Sequence, residues 1–163
     1  MRVASIVNDS IVDGPGLRLT VFVQGCDHRC PGCHNPQTHS HTGGTEMSCE
    51  DIFDIVRGNP LLDGVTFSGG EPFDQAEELA RLGCLIKEQL PHLNIITYTG
   101  YQFEYLLAGR QYRDLLRVTD ILIDGPYIEK LRSLELRFRG SSNQRILDCK
   151  HSCEVGKPVD YEL

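Results

Sequence analysis

The chain has 163 residues, 40% of them hydrophobic and 24% charged, and a formal net charge of −7. This size and composition predict one globular domain, residues 1–163, which buries its own core and needs no disulfide bridges for stability. The acidic balance argues against direct nucleic acid binding, which requires clustered positive charge, and no segment approaches the ~20 apolar residues of a membrane span.

Two local features depart from this average composition. The chain has seven cysteines, and residues 1–10 lack the apolar core and cleavage site of a signal peptide. We therefore expect a cytoplasmic protein, in which thiols stay reduced and closely spaced cysteines bind metal or react. Positive charge clusters in one stretch, which is either a solvated face or an anion site: Arg132, Arg137, Arg139 and Arg145.

Strands and helices are predicted to alternate along the chain. Alternating and β-branched residues predict strands at 17–25, 65–68, 94–99 and 120–124, with one or two more at 134–138 and 145–147. Ser48 with Asp51 has the spacing of a capping box and predicts a helix start, and Asp74 with Glu77 resembles another. Helical spacing continues the second helix to Pro91 and predicts a third from Gln102 to Val118, broken near Gly109.

This alternation predicts an α/β fold with a mainly parallel sheet. Four to six strands cannot close an eight-stranded barrel, so we expect an open, truncated (βα) partial barrel. Functional sites in such sheets lie at the carboxyl ends of the strands. Cys26 follows the first predicted strand and Gly69-Gly70-Glu71 follows the second. Both motifs are thus predicted to lie on the same rim.

Cys26, Cys30 and Cys33 form a C-x3-C-x2-C loop. Three thiolates can hold three irons of a four-iron cluster and leave the fourth iron open to a ligand. Two other interpretations of the loop stay open. One is a redox-active thiol pair, and the other is a zinc ion whose fourth ligand is a histidine: His28, His34, His39 or His41.

The second motif is Ser68-Gly69-Gly70-Glu71-Pro72. Paired glycines after a strand are typical of a tight turn. Beside an open iron they would also let the backbone approach a small ligand, and the Glu71 carboxylate can accept a hydrogen bond from an ammonium group.

The cysteine loop and the Gly-Gly-Glu turn together resemble the radical S-adenosylmethionine superfamily. Five segments, which span most of the chain, are similar to the activating proteins of anaerobic ribonucleoside-triphosphate reductase: residues 8–16, 30–35, 98–101, 124–125 and 139–144. The last segment is the most discriminating. Gly32 stands where many superfamily members have an aromatic residue, and His34 stands where related sequences often have Tyr.

The resemblance implies a set of cofactor contacts. Cys26, Cys30 and Cys33 would hold a [4Fe-4S] cluster, whose open iron binds the amino and carboxylate groups of S-adenosyl-L-methionine. Gly69, Gly70 and Glu71 would orient the methionine amino group. The backbone of Gly32, Cys33 and His34 would contact the adenosine side.

The resemblance also implies a reaction and its partners. Reductive cleavage of S-adenosylmethionine would generate a glycyl radical on the glycyl-radical subunit of anaerobic ribonucleoside-triphosphate reductase, with the electron supplied by a flavodoxin-like or other low-potential donor. The open side of the sheet would admit a backbone loop of that partner. Alternatives are activation of a formate-lyase or decarboxylase type of enzyme, a radical reaction on a purine precursor, and a non-enzymatic zinc or thiol-switch module.

Other cysteines and tyrosines have simpler interpretations. Cys149 and Cys153 are a second metal site, a disulfide formed in air, or incidental thiols of a frayed tail. Cys49 and Cys84 fall on predicted helices as small buried residues. Tyr98 and Tyr101 either line a cofactor cleft or pack on the sheet.

Overall fold

The computed structural model describes all residues, 1–163, and contains one sheet of seven strands. The strands are β1 (Arg2–Ser10), β2 (Arg18–Val23), β3 (Thr45–Glu46), β4 (Gly64–Gly69), β5 (Asn94–Tyr98), β6 (Ile121–Asp124) and β7 (Arg145–Asp148). They are ordered β3-β1-β2-β4-β5-β6-β7. The four strands β2, β4, β5 and β6 are parallel, and antiparallel pairing adds β1 and β3 at one edge and β7 at the other. The predicted open α/β sheet is therefore confirmed.

The sheet differs from the sequence-based prediction at its edges. β1 and β3 were not predicted, because the second half of β1 (Asn8-Asp9-Ser10) is polar and β3 has only two residues. Residues 134–138 do not form a strand, although Leu-Glu-Leu-Arg-Phe alternates. The free side of β6 is already paired with β7, so this stretch has no strand to pair with.

The helices are α1 (Cys49–Arg57), α2 (Ala76–Gln89), α3 (Phe103–Ala108), α4 (Arg113–Val118) and α5 (Cys149–Val155). The predicted break near Gly109 separates α3 from α4, and a 3₁₀ turn, Arg110–Tyr112, lies between them. The start predicted at Asp74 is two residues early, because a 3₁₀ turn, Pro72–Gln75, precedes α2. No helix is long and apolar enough to cross a membrane.

The capping box predicted at Ser48 is present at the start of α1. The Ser48 side chain accepts a hydrogen bond from the Asp51 N–H at 3.0 Å, and the Asp51 carboxylate accepts from the Ser48 N–H at 3.5 Å. We expect Ser48→Ala to lower the free energy of unfolding by about 1 kcal/mol, since one N–H of the first turn loses its acceptor. Chemical denaturation would measure this, with Ser142→Ala, an exposed serine outside any helix, as the control. Equal stability of the two variants would contradict it.

The two faces of the sheet are covered differently. Helices pack on one face, where the main core joins strand residues such as Val21, Phe67 and Ile95 to helix residues such as Leu79 and Leu115. A smaller cluster on the other face contains Ile96, Ile121 and Ile123, with Tyr98, Phe138 and Ile146 packed against it. No helix covers this second face, so it remains available to loops and ligands.

A turn at residues 13–16 fills part of this second face beside β2. The fully buried Arg18 guanidinium fixes the turn, because it donates to the Pro15 carbonyl at 3.0 Å and to the Thr66 hydroxyl at 2.7 Å. Burial lowers the pKa of Arg18 to about 10. A Cβ at Gly14 would lie 2.5 Å from the Ile96 side chain, so only glycine fits this close approach. The turn therefore belongs to the sheet packing, at the amino-terminal half of the strands.

Candidate functional site

The two predicted motifs meet at the carboxyl ends of β2 and β4. The last residues of these strands, Val23 and Gly69, are register partners. Beyond them the Gly70 N–H donates to the Val23 carbonyl and the Glu71 N–H donates to the Gly25 carbonyl, each at 2.8 Å. The ladder between the strands thus continues into the loops and fixes the start of the cysteine loop beside the Gly-Gly-Glu turn. The prediction that both motifs share one rim is correct.

Cys26, Cys30 and Cys33 are all free and half-buried. The loop turns at Arg29 (φ 52°) and Gly32 (φ 73°), which both adopt left-handed backbone. The Cys33 N–H donates to the Cys30 carbonyl at 3.1 Å, and the Cys33 sulfur accepts from the Asn35 N–H at 3.4 Å. This backbone geometry holds the three thiols on one short, ordered loop.

The donors of this loop fit an iron–sulfur cluster. No group of three His, Cys, Asp or Glu side chains surrounds a single point where one metal ion would sit. A four-iron cluster does not need that arrangement, because each of its irons takes its own thiolate. Burial raises the pKa of the Cys26 thiol to about 11, so ligation of iron by this residue would release a proton. The N–H···S contact at Cys33 is of the kind that tunes cluster sulfurs.

Three of the four histidines considered as zinc ligands contact other side chains. The His28 Nε2 lies 2.6 Å from a Glu71 oxygen, and the His41 Nε2 lies 2.8 Å from an Asp27 oxygen. The exposed His34 ring packs against Tyr127, with ring centroids 4.8 Å apart. A carboxylate only accepts hydrogen bonds, so the His28 Nε2 carries the proton. This hydrogen bond raises the pKa of His28 above its ordinary value.

The Glu71 carboxylate is 1% exposed and its acceptor sites are occupied within the chain. One oxygen accepts from the His28 ring and from the Gly100 N–H at 2.8 Å, and the other accepts from the Phe73 N–H at 2.9 Å. The Thr99 hydroxyl lies 2.9 Å from both oxygens. Glu71 therefore joins the cysteine loop, the turn after β4 and the turn after β5. Sequence reasoning did not assign this role to Glu71 or the Thr99-Gly100 pair.

The paired glycines allow a close approach between two backbones. A Cβ at Gly69 would lie 2.7 Å from the Phe22 Cα, and a Cβ at Gly70 would lie 2.4 Å from the Gly25 carbonyl oxygen. The missing side chains of these glycines therefore make room for the end of β2 and the loop after it. The Gly70 carbonyl accepts no hydrogen bond within the chain, and Gly70 itself is half-exposed. The Gly70 carbonyl is therefore one acceptor of the turn that has no partner within the chain.

We expect Gly70→Ala to destabilise the chain by about 2 kcal/mol, because the added methyl must push the backbone of the cysteine loop away from β4. Gly58→Ala is the matched control. Gly58 has an ordinary φ of −71°, and its nearest neighbour would be 3.3 Å from the new methyl. Thermal or chemical unfolding of the two variants without cluster would test this. If Gly70→Ala lowers the free energy of unfolding no more than Gly58→Ala does, the cysteine loop and the turn after β4 are not closely packed.

Gly32 and His34 face the segment that follows β6, residues 126–144. A Cβ at Gly32 would lie 2.8 Å from the Glu129 carboxyl carbon, and one at Gly140 would lie 3.4 Å from the His34 ring. The Tyr98 hydroxyl donates to the Phe138 carbonyl at 2.7 Å. Tyr98 therefore anchors this segment on the sheet. The segment covers the face above β5 and β6, while Ser68, Gly69 and Gly70 at the end of β4 stay half-exposed.

The C-terminal cysteines do not belong to a frayed tail. Both lie on α5, where Cys149 is fully buried and Cys153 is half-buried one turn later. The Cys149 thiol donates to the Leu116 carbonyl at 3.4 Å. The neighbouring Cys153 thiol and burial raise the pKa of Cys149, and the Cys149 thiol lowers the pKa of Cys153. The chain after α5 is tied back to the sheet, because the Asp148 N–H donates to the Val159 carbonyl at 2.8 Å.

The remaining cysteines and tyrosine are partly as predicted. Cys49 is buried as expected, but Cys84 is exposed on α2. The Tyr101 ring packs between His28, at a centroid distance of 4.5 Å, and Tyr105, at 5.0 Å. It therefore supports the site through His28.

Comparisons with known proteins show the family to which the chain belongs. The family described as "4Fe-4S single cluster domain" matches residues 12–147. The chain is 33% identical over 139 residues to the anaerobic ribonucleoside-triphosphate reductase-activating protein of Enterobacteria phage T4, covering 83% of this chain and 86% of that protein. It is 36% identical over 140 residues to the protein of the same name from Escherichia coli (strain K12), covering 82% and 90%.

Two further similarities extend over less of the compared protein. The chain is 41% identical over 127 residues to the pyruvate formate-lyase-activating enzyme of Clostridium pasteurianum, covering 75% of this chain and 50% of that enzyme. The crystal structure of QueE from Escherichia coli superposes on 61% of this chain and 51% of that chain, with a TM-score of 0.46 and 17% identity.

Proposed function

We propose, since this chain belongs to the family of anaerobic ribonucleoside-triphosphate reductase-activating proteins, that it generates a glycyl radical on such a reductase. The observation that carries the proposal is the continuation of the β2–β4 ladder into both loops. This ladder fixes three free thiols beside the Gly-Gly-Glu turn, in which the Gly70 carbonyl has no partner. We further propose that residues 1–163 act as one radical S-adenosylmethionine domain, as the single sheet supports.

The cofactors are a [4Fe-4S] cluster and S-adenosyl-L-methionine. When bound and reduced, the cluster supplies the electron that splits S-adenosylmethionine into methionine and a 5′-deoxyadenosyl radical, which takes a hydrogen atom from the target glycine. In our proposal Cys26, Cys30 and Cys33 hold the cluster and leave one iron without a protein ligand. The half-buried position of these thiols supports this assignment.

The chain's own residues are proposed to orient the methionine end. The free Gly70 carbonyl accepts from its ammonium group, and Gly69 allows the close packing that presents this carbonyl on the rim. The Glu71 carboxylate accepts hydrogen bonds from His28, Phe73 and Gly100. In our proposal it holds the turn in position and does not contact the ammonium group directly. The backbone of Gly32, Cys33 and His34 contacts the adenosine side.

The electron is proposed to come from a flavodoxin-like or other low-potential donor in the cytoplasm. The sequence has one three-cysteine cluster motif, and the proposal therefore takes the electron from another protein. A reducing compartment keeps the three thiols available for iron.

Electron paramagnetic resonance tests the proposal. The reconstituted and reduced chain is mixed anaerobically with S-adenosylmethionine and its reductase partner. A glycyl radical signal on the reductase is expected, with one S-adenosylmethionine consumed per radical. Its absence, under conditions in which a known activating protein succeeds, would refute the proposal.

The similarity to a pyruvate formate-lyase-activating enzyme favours a second candidate, activation of a formate-lyase type of enzyme. A parallel mixture with such an enzyme separates the two. A radical signal on the formate-lyase alone would assign the second function.

A further inference from the structure

The 126–144 segment contains a group of unpaired cationic side chains beside the site. It carries four cationic and two acidic residues, although the whole chain has a net charge of −7. Arg132, Arg137 and Arg139 form no salt bridge, whereas Arg57, Arg117 and other arginines of the chain do. Positive charge that is left unpaired on an acidic chain is available for an external anionic group.

The base of the segment is rigid. The Gln144 side chain accepts from the Gly140 N–H at 2.9 Å and donates to the Gly125 carbonyl at 3.1 Å. The Asn143 side chain donates to the Pro126 carbonyl at 2.8 Å, and the Arg139 guanidinium donates to the Gln144 carbonyl at 2.9 Å. These hydrogen bonds join residues 139–144 to residues 125–126 at the start of the segment. The two ends of the segment are therefore fixed, and this restricts the residues between them.

The tip of the segment presents apolar side chains to solvent. Leu134 is fully exposed, and Leu131 and Ile128 are 42% and 38% exposed. Phe138 takes a left-handed backbone conformation (φ 58°), which a bulky residue rarely adopts and which reverses the chain after the tip. Exposed aliphatic side chains bordered by arginines are typical of a protein-binding surface rather than of a solvated loop.

A cavity of about 400 Å³ lies between this segment and the cysteine loop. Its lining includes His34 from the cysteine loop, Arg132 and Arg139 from the segment, and the side chains of Leu134 and Leu136, and it contains no acidic residue. The Nε of Arg139 is buried without a hydrogen-bond acceptor within the chain. The arginine side chains that line the cavity can pair with an anionic oxygen of a ligand.

We infer that the 126–144 segment is the docking surface for the protein that carries the target glycine, and that it recognises an acidic surface patch next to that glycine. A carboxylate of the partner pairs with Arg132 and Arg139, and aliphatic residues of the partner cover Leu131 and Leu134. This inference rests on the proposed function and specifies which surface the reductase contacts. Contact with His34 brings the docked chain next to the cysteine loop.

Charge reversal tests the inference. The double variant Arg132→Glu with Arg137→Glu removes two exposed cations that form no salt bridge. The Arg137 guanidinium lies 5.4 Å from the centroid of the Phe138 ring. The matched control, Arg110→Glu with Arg113→Glu, makes the same charge change at exposed, unpaired positions on the helix layer. The affinity of the cluster-free chain for the reductase is measured at low and high ionic strength, so the readout does not depend on the cluster.

We expect the test variant to bind at least about tenfold more weakly at low ionic strength, with much of the salt dependence lost, and the control to change less than about twofold. Leu134→Ser should weaken binding about fivefold at both ionic strengths, since its contribution is apolar. Equal losses in the test and control variants would overturn the inference, as would unchanged affinity in the test variant.

Other occupants of the surface give different results. Slower reduction by a flavodoxin-like donor with unchanged reductase affinity would assign the surface to the electron donor and overturn the inference. Weaker S-adenosylmethionine binding with unchanged reductase affinity would assign the cavity to the cofactor and also overturn it. S-adenosylmethionine cleavage by the chain without its partner distinguishes the two proposals. If the wild-type chain cleaves S-adenosylmethionine normally and the substitutions leave the reductase affinity unchanged, the docking inference alone fails.

Discussion

Single replacement of Cys26, Cys30 or Cys33 by Ala is expected to abolish S-adenosylmethionine cleavage. The anaerobically reconstituted wild-type chain should bind about four irons, with each of three irons held by one of these thiolates. Removal of one thiolate leaves two irons without protein ligands, so the variants should hold less iron and sulfide and lose the brown cluster absorption. Iron and sulfide analysis and the visible spectrum measure the first effect.

Cys84→Ala is the matched control for these variants, because Cys84 is a free and exposed thiol on α2, away from the loop. It should keep full iron content and full activity. Equal iron loss in Cys84→Ala and Cys30→Ala would mean that iron binds the cysteines unspecifically. Full activity in any of the three loop variants would contradict the assigned ligand set.

Replacement of Glu71 by Ala is expected to lower the free energy of unfolding by about 3 kcal/mol or more. The buried carboxylate accepts hydrogen bonds from groups on three separate parts of the chain, His28, Phe73 and Gly100, and its removal leaves these donors without an acceptor. Denaturation of the cluster-free chain measures this effect without interference from cluster loss.

Glu71→Gln separates shape from charge. The amide keeps one oxygen acceptor, but its NH₂ group must face a donor, so about 1–3 kcal/mol is expected to be lost. His28→Ala should remove only one of the contacts and cost less than Glu71→Ala. A loss below about 1 kcal/mol in Glu71→Ala would show that the carboxylate is not clamped between these turns.

The sheet and the location of the site could be predicted from the sequence because their signals are local. Apolar and polar residues alternate along β2 and β4, and Cys26 and Gly69 mark the carboxyl ends of these strands. Parallel strands place their carboxyl ends on one rim of the sheet. The capping box at Ser48 is likewise complete within four residues. These predictions required no knowledge of contacts between distant segments.

The missed features depend on partners that are far away in the sequence. β1 forms because β2 offers a free edge, although its Asn8-Asp9-Ser10 end has the composition of a turn. Conversely, residues 134–138 alternate like a strand but find β6 already paired with β7. Strand formation at a sheet edge is decided by which edge is vacant, and local composition does not carry that information.

The structural role of Glu71 was missed for the same reason. The sequence identifies Glu71 as an acceptor in the Gly-Gly-Glu turn, but not the donors that bind it. These donors are His28, 43 positions away, and the Thr99-Gly100 pair, 28 and 29 positions away. The 98–101 segment, Tyr-Thr-Gly-Tyr, already stood out in the sequence and was the one signal that pointed to this contact. The Gly70 carbonyl in the same turn has no partner within the chain.

In the proposed site, three thiolates hold a cluster with an open iron, and the Gly70 carbonyl helps to orient the S-adenosylmethionine bound to that iron. The most direct measurement is the amount of 5′-deoxyadenosine formed when the reconstituted chain, loaded with about four irons, is reduced anaerobically in the presence of S-adenosylmethionine. We predict 5′-deoxyadenosine and methionine in equal amounts, and none without reductant. A fully loaded and reduced chain that leaves S-adenosylmethionine intact would contradict the account.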